Sequence, residues 1–181
     1  MKVMIITCSP NKDGLTEACG QAARLGVEAG NAEAVTVRLN DLKISNCHAC
    51  GNGWGTCRNE HECQVKDNFQ ELHKLMGDMD AYVVVTPVYW GEMSESAKAF
   101  FDRIRRCEAL KEKNGLEGKL VISIAAAGGS GNGTNTCLAS MERLFSHVRA
   151  VRFDMIGITR KNRDYMLEAI RSSAGEMVKG K

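Results

Sequence analysis

Apolar residues along this chain follow two rhythms. Short continuous runs, VMIIT at 3–7, AVTVRL at 34–39, AYVVVT at 81–86, KLVISIAAA at 119–127 and VRFDMIGI at 151–158, have the length and β-branched content of strands. The first is apolar at nearly every position, the signature of a strand covered on both faces. Between the runs lie segments of helical period. One spans 15–29, with Ala18, Ala22, Leu25 and Ala29 along one side and Gly30-Asn31 stopping it. Asp67 is placed to cap a second, through about 76. Ser94 opens a third to about 110, with a seam of Ala97, Phe100, Phe101 and Ile104. Thr134 or Asn135 starts a fourth to about 148, and Asn162 or Asp164 a fifth to about 177. Pro87 is expected to end the third strand.

Strands alternating with helices predict an α/β fold, one parallel sheet with helices on both faces and right-handed crossovers. The pattern reads as a single domain over 1–181 with a cysteine-rich insertion at about 40–66. Such a sheet binds ligands outside the carboxyl ends of its strands, so the turns at 8–16, 87–94 and 127–134 carry the candidate chemistry.

The first turn, CSPNKDGLT, places Ser9, Asn11 and Thr16 where a helix starts. Free N–H groups and the helix dipole there suit an anion, unless the turn is simply a capped βα connection. It holds neither G-x-x-x-x-G-K-[ST] nor G-x-G-x-x-G. In the second, Tyr89 and Trp90 follow Pro87 and offer flat faces to a planar ring, to the core or to a subunit contact. In the third, four glycines within 128–133 leave the backbone uncovered, for a ligand or as a flexible loop.

Taken together these stretches, S-P-x-x-x-G-x-T, then TPVYW with M-S-x-x-x-K-x-F-x-D-R, then G-G-x-G-x-G, resemble the NADPH-dependent FMN reductase family over nearly the whole chain. The resemblance implies a flavodoxin-like three-layer sandwich with strand order 2-1-3-4-5. It implies FMN as cofactor, its phosphate held by Ser9, Asn11, Leu15 and Thr16. Pro87, Val88, Tyr89 and Trp90 would flank the ring, with Gly128 and Gly129 at its other edge. Asn11 stands where the family often has Arg or Lys, and Leu15 where it often has Asn or Ser. NAD(P)H or ferredoxin is the implied electron donor, a small molecule the acceptor, and a homodimer or homotetramer the implied assembly. No catalytic acid or base stands out. A non-enzymatic electron carrier is the alternative within the same fold. A signalling receiver domain is excluded by the lack of carboxylates at TCSP and TPVYW.

CHACGNGWGTCRNEHEC, 47–63, spaces Cys47, Cys50, Cys57 and Cys63 as x2, x6 and x5. It resembles the iron–sulfur flavoprotein branch, except that Gly53 stands where a third closely spaced cysteine is typical. Four thiols suit a [4Fe–4S] cluster or a zinc ion. A metal-free loop of reduced thiols and a disulfide are the remaining readings, the last belonging to an oxidising compartment. A zinc-stabilised binding module is the matching alternative function. Cys19, Cys107 and Cys137 read as small core residues in helices, while Cys8, at the end of the first strand, falls near the phosphate.

Charge changes the picture only by exclusion. A net charge of +2 in 181 residues gives no field for nucleic acid or an anionic membrane. RIRR at 103–106 reads as the solvated side of a helix. No apolar run is long enough to span a bilayer, and MKVMIITCSP is too short in apolar residues for an export signal, so a cytoplasmic location is expected.

Overall fold

Strand β1 (Lys2–Thr7) is buried from Val3 onward. In the computed structural model, which describes residues 1–180, its side chains alternate between two cores. Met4 and Ile6 pack into one, Val3 and Ile5 into the other. The continuous apolar run is thus explained by helices on both sides.

Helix α1 (Leu15–Ala29) follows, then β2 (Glu33–Arg38), a 3-10 turn at Leu39–Asp41, a single irregular turn α2 (Cys50–Gly53), and α3 (Phe69–Gly77). Next come β3 (Ala81–Tyr89), the two-residue β4 (Glu92–Met93), α4 (Glu95–Glu108), β5 (Leu120–Ala127), α5 (Thr134–His147), β6 (Val151–Thr159) and α6 (Arg163–Lys179). The five long strands are parallel in the order β2-β1-β3-β5-β6, and β4 pairs antiparallel with the end of β3. The order expected for the five long strands, 2-1-3-4-5, is the order found.

Three local expectations change. Pro87 does not end β3, which continues to Tyr89, because Pro87 keeps its place opposite Ala126 and its missing donor is tolerated near the strand end. The α1 seam is rotated. Leu25 is exposed, and Cys19, Ala23, Gly26 and Val27 face inward. The cause is α6, which packs so close that a Cβ on Gly26 would lie 2.1 Å from the Arg171 carbonyl oxygen. Small residues, not the largest apolar one, form that helix contact. Third, Asp67 stands one residue before the Asn68 cap of α3. Its Oδ1 accepts from the Phe69 N–H at 3.0 Å, but its main partner lies elsewhere.

Helix α4 behaves as its seam predicts. Ser94 Oγ accepts from the Ala97 N–H at 3.3 Å, and Ala97, Phe100, Phe101 and Ile104 are fully buried. Each such ring contributes about 1.5–3 kcal/mol by leaving water. At its far end, Glu108 is buried and receives three donors: His73 Nε2 at 2.5 Å, Lys111 Nζ at 2.5 Å and the Gly115 N–H at 2.6 Å. Burial works to raise this carboxyl. The hydrogen bonds from His73, Lys111 and Gly115 outweigh it and hold the pKa down at about 2. Because the folded value lies below the usual 4.5, the carboxylate stabilises the fold in full above about pH 4.5 and loses that contribution as pH falls toward 2. Glu108→Gln is therefore expected to cost about 3 kcal/mol at pH 7, with the gap to wild type closing in acid. Urea midpoints at pH 7 and pH 3 check it.

Candidate functional site

The three turns meet at the carboxyl edge of the sheet. Helix α1 begins at Gly14 with no side chain capping its first turn, so the opening N–H groups are available to an external acceptor. The preceding loop is preshaped: the Asn11 N–H bonds Ser9 Oγ at 3.2 Å and the Asp13 N–H bonds Asn11 Oδ1 at 3.3 Å. Thr16 is buried on the inner side of this turn, Ser9 and Leu15 are half-buried, and Asn11 is exposed. The strand end is fixed by Ser94, whose Oγ donates to the Cys8 carbonyl at 2.8 Å. The Cys8 thiol itself points into the core, where burial raises its pKa far above the ordinary range, so it is inert packing rather than a phosphate partner.

Pro87 and Val88 are half-buried, Tyr89 is exposed, and Trp90 stands fully in solvent at the tip of the next turn. Trp90 has φ +53, a left-handed conformation unfavourable for a bulky residue, and Gly91 has φ +79. The glycine turn locks onto this tip. Gly133, at φ +83, comes so near that an added Cβ would sit 2.7 Å from Gly91 Cα, and Thr136 Oγ1 donates to the Gly91 carbonyl at 2.8 Å. Open space faces Gly128 and Gly129, with no atom within 4 Å of a Cβ built on either. An uncapped helix start, two outward aromatic side chains and a bare backbone stretch therefore share one edge. That donor set fits a phosphorylated planar ring: N–H groups for the phosphate, flat faces and backbone for the ring.

The family profile of the NADPH-dependent FMN reductases matches residues 1–156. The chain belongs to that family, which consists of flavin oxidoreductases. A curated relative, an iron–sulfur flavoprotein of Methanosarcina thermophila, is 32% identical over 134 residues, 74% of this chain and 66% of that one. The matched stretches span 66, 46 and 60% of three such iron–sulfur flavoproteins, so this chain covers about half to two thirds of their length. Among solved structures, the NAD(P)H:quinone oxidoreductase of Methanothermobacter marburgensis superposes with a TM-score of 0.73 at 16% identity, over 98% of this chain and 96% of that one. An archaeal flavodoxin does so at 0.65 and 14%, over 98% and 96%. The fold is flavodoxin-like.

In this member of the family the cysteine segment lies over the core on the α3–α4 side. Leu42, Ile44, Trp54 and Cys63 pack against that core, and Cys57 joins it. Cys47, Cys50, Cys57 and Cys63 line one small cavity, together with His48, Arg103, Arg106 and Cys107. All eight cysteines are free thiols, so the disulfide reading is not what the structure shows. Among the described residues, no three His, Cys, Asp or Glu side chains are arranged to hold a single metal ion.

Arg103 corrects the reading of RIRR as a solvated face. It is 1% exposed and anchors the segment from beneath. Its Nη1 donates to Asp67 Oδ2 at 2.7 Å and to the Ser45 carbonyl at 3.0 Å; its Nη2 donates to Asp67 Oδ1 at 3.0 Å and to the Val65 carbonyl at 3.2 Å. This is a bidentate pair, with one further donor on each Nη taken by a backbone carbonyl. Burial works to raise the Asp67 carboxyl. The hydrogen bonds from Arg103, from the Ser45 and Phe69 N–H groups and from the Ser45 hydroxyl outweigh it and hold the carboxyl well below its usual range. Arg106 lies 4.0 Å over the Trp54 ring and donates to the Gly53 carbonyl.

Sequence reasoning also missed Cys107 as a member of this cavity. It is fully buried, and burial, with Cys63 and Cys57 nearby, pushes its thiol up to about 12. The available signal was the spacing Phe100-Arg103-Cys107, which continues the buried stripe of α4 about two turns beyond Phe100.

Proposed function

We propose that this protein is an FMN-dependent oxidoreductase that receives electrons from a nicotinamide or ferredoxin donor and delivers them to a small acceptor. The observation that carries the reading is the joined edge of turns just described, with family membership behind it. Bound FMN supplies the redox chemistry; the protein supplies placement and electrostatics. The opening N–H groups of α1, with Ser9, Asn11, Leu15 and Thr16 around them, hold the phosphate. Pro87, Val88, Tyr89 and Trp90 orient the ring and exclude water from one side, while the Gly128-Gly129 backbone meets its polar edge. Trp90 is fully exposed at the tip, which supports a homodimer or homotetramer with a second copy beside the ring.

In the same reading Cys47, Cys50, Cys57 and Cys63 hold a [4Fe–4S] cluster. Two supports favour it over zinc. The relatives in which the matched stretches lie are iron–sulfur flavoproteins. The four thiols surround a cavity rather than converging on a point. A tetrahedral zinc, with bonds of about 2.3 Å, needs its sulfurs within about 3.8 Å of one another, whereas a cluster spreads them around four irons.

Anaerobic mixing with NADPH or NADH tests the enzyme reading. Bleaching of the oxidised flavin band is the expected result. A yellow protein that bleaches with neither, yet is reduced by ferredoxin, makes it an electron carrier. A colourless protein that refuses added FMN overturns the reading.

A further inference from the structure

Resting on the nicotinamide reading above, we propose that the turn between β6 and α6 receives the far end of the electron donor. Arg160 and Lys161 hold a phosphate group of a nicotinamide dinucleotide, and Tyr165 offers its adenine a flat face. Three features lead there.

The first is position. Thr159, the last residue of β6, lies opposite Ala127, the last residue of β5, so residues 160–163 leave the sheet directly beside Gly128 and Gly129. A Cβ on Gly131 would lie 3.4 Å from Thr159 Cγ2, so the two turns touch. The strand order puts the β6 turn on the side of the glycine turn away from Tyr89 and Trp90. It therefore borders the open space in front of Gly128 and Gly129. A donor that lays its nicotinamide on the flavin must send its phosphates out past one flank of the ring. The β1 flank is given to the phosphate of FMN and the β3 flank to the aromatic tip, which leaves this one.

The second is uncommitted charge. Arg160 and Lys161 are exposed, and neither side chain has a hydrogen bond or an ion pair among the described residues. Cations beside the other turns are engaged: Lys12 with Asp41 at 3.5 Å, Arg38 with Glu17 at 3.8 Å and Lys98 with Asp102 at 2.6 Å. The backbone that carries the free pair is held in place. Asn162 Oδ1 accepts from the Thr159 N–H at 2.6 Å, and Thr159 Oγ1 accepts from the Lys161 N–H at 3.2 Å. A guanidinium takes two phosphate oxygens at once and an ammonium adds a compact point charge, so the two suit one phosphate.

The third is the kind of partner. Tyr165, in the first turn of α6, is 66% exposed, and its ring is flat. Cations beside an exposed aromatic ring match the adenylate end of a dinucleotide. An acidic protein donor fits less well. Covering this edge of the sheet, it would also meet Asp13, Glu92 and Glu95, which are exposed and in no ion pair among the described residues. A dinucleotide reaching only the corner at 159–165 meets one carboxylate there, Asp164, already drawn to Arg163 at 3.8 Å.

The test uses the full chain loaded with FMN, as wild type, as the double variant Arg160→Ala, Lys161→Ala, as Tyr165→Ala and as Lys113→Ala. Lys113 is exposed in the loop before β5, at the opposite edge of the sheet, and controls for lost charge. Steady-state KM and kcat are read with NADPH and with NADH, ferricyanide being the acceptor. Calorimetry reads the affinity for adenosine 2′,5′-bisphosphate, and fluorescence the affinity for FMN. The double variant is expected to raise the KM for NADPH at least about tenfold, with the loss in KM rather than kcat, and to weaken the bisphosphate by a similar factor. A loss confined to NADPH assigns the 2′-phosphate; an equal loss with NADH assigns the bridging pyrophosphate. Tyr165→Ala is expected to raise both KM values about fivefold, as a stacked base loses its platform. Lys113→Ala and wild type are expected to match. A double variant with wild-type KM and bisphosphate affinity overturns the inference. So does one that loses FMN in parallel, because the turn then belongs to the flavin seat. So does one reduced more slowly by ferredoxin alone, because the turn then serves a protein donor. A wild type that binds FMN yet is reduced by neither nicotinamide overturns the nicotinamide reading itself, and this inference with it.

Discussion

Replacing Arg103 with methionine is expected to lower the unfolding free energy by about 2–4 kcal/mol at neutral pH, the cost of leaving the half-buried Asp67 carboxylate and two backbone carbonyls without their guanidinium donors. Asp67 would keep its bonds from the Ser45 and Phe69 N–H groups but lose both guanidinium donors. The Ser45 and Val65 carbonyls would lose theirs as well, so the whole cysteine segment loosens from α4. Urea denaturation followed by circular dichroism reads the loss. Two further arms separate the pair from mere packing. The double variant Arg103→Met, Asp67→Leu should recover much of the stability, because no buried charge remains unpaired. The deficit of Arg103→Met should also shrink in acid. The folded Asp67 carboxyl titrates below its ordinary value, so its contribution is complete above that value and is lost as pH falls through the depressed one. A deficit that is independent of pH, or a double variant no better than the single, would show that the pair is not what holds the segment.

Gly133→Val is expected to weaken FMN binding by at least about tenfold, with smaller effects on global stability. Two costs combine. A β-branched residue at φ +83 is strained by about 1–3 kcal/mol. Its Cβ would also collide with Gly91 Cα at 2.7 Å, which forces the glycine turn away from the tip carrying Tyr89 and Trp90. Gly118→Val separates the two causes. Gly118 has φ +74, and no atom lies within 4 Å of a Cβ built there, so that variant carries the same backbone strain far from the edge of the sheet. It should unfold more easily by about 1–2 kcal/mol and bind FMN as wild type does. Titration of flavin fluorescence against each variant gives the comparison. Equal affinity in both would mean that the union of the two turns is not needed to seat the ring.

Much of the architecture was legible in the order of residues. The strands and helices announced themselves by period, since a strand buried on both faces must be apolar at nearly every position and a covered helix every third or fourth. The uncapped first turn and the aromatic tip were legible for a related reason. Each is a short stretch whose chemistry is local: an uncapped helix start, a proline and two adjacent aromatic residues. Arg103 and Cys107 were not legible in that way. Arginine on a helix is solvated far more often than buried, and only the distant Asp67 makes burial of this one favourable. A helical cysteine reads as packing until the chain brings residues 47–63 across it. Leu25 misled in the opposite sense, because the backbone contact between α1 and α6 leaves no room for a large side chain at the seam.

The sequence by itself thus determined the doubly covered parallel sheet, the family, and the three turns at its carboxyl edge, because pattern and turn chemistry act between near neighbours in the chain. The tertiary structure alone decided that the cysteine segment folds onto α4, that a buried ion pair fastens it there, and that five thiols rather than four face one cavity. Those facts depend on contacts between residues some 36 to 60 positions apart, and no local rule encodes which distant partner a helix face will meet.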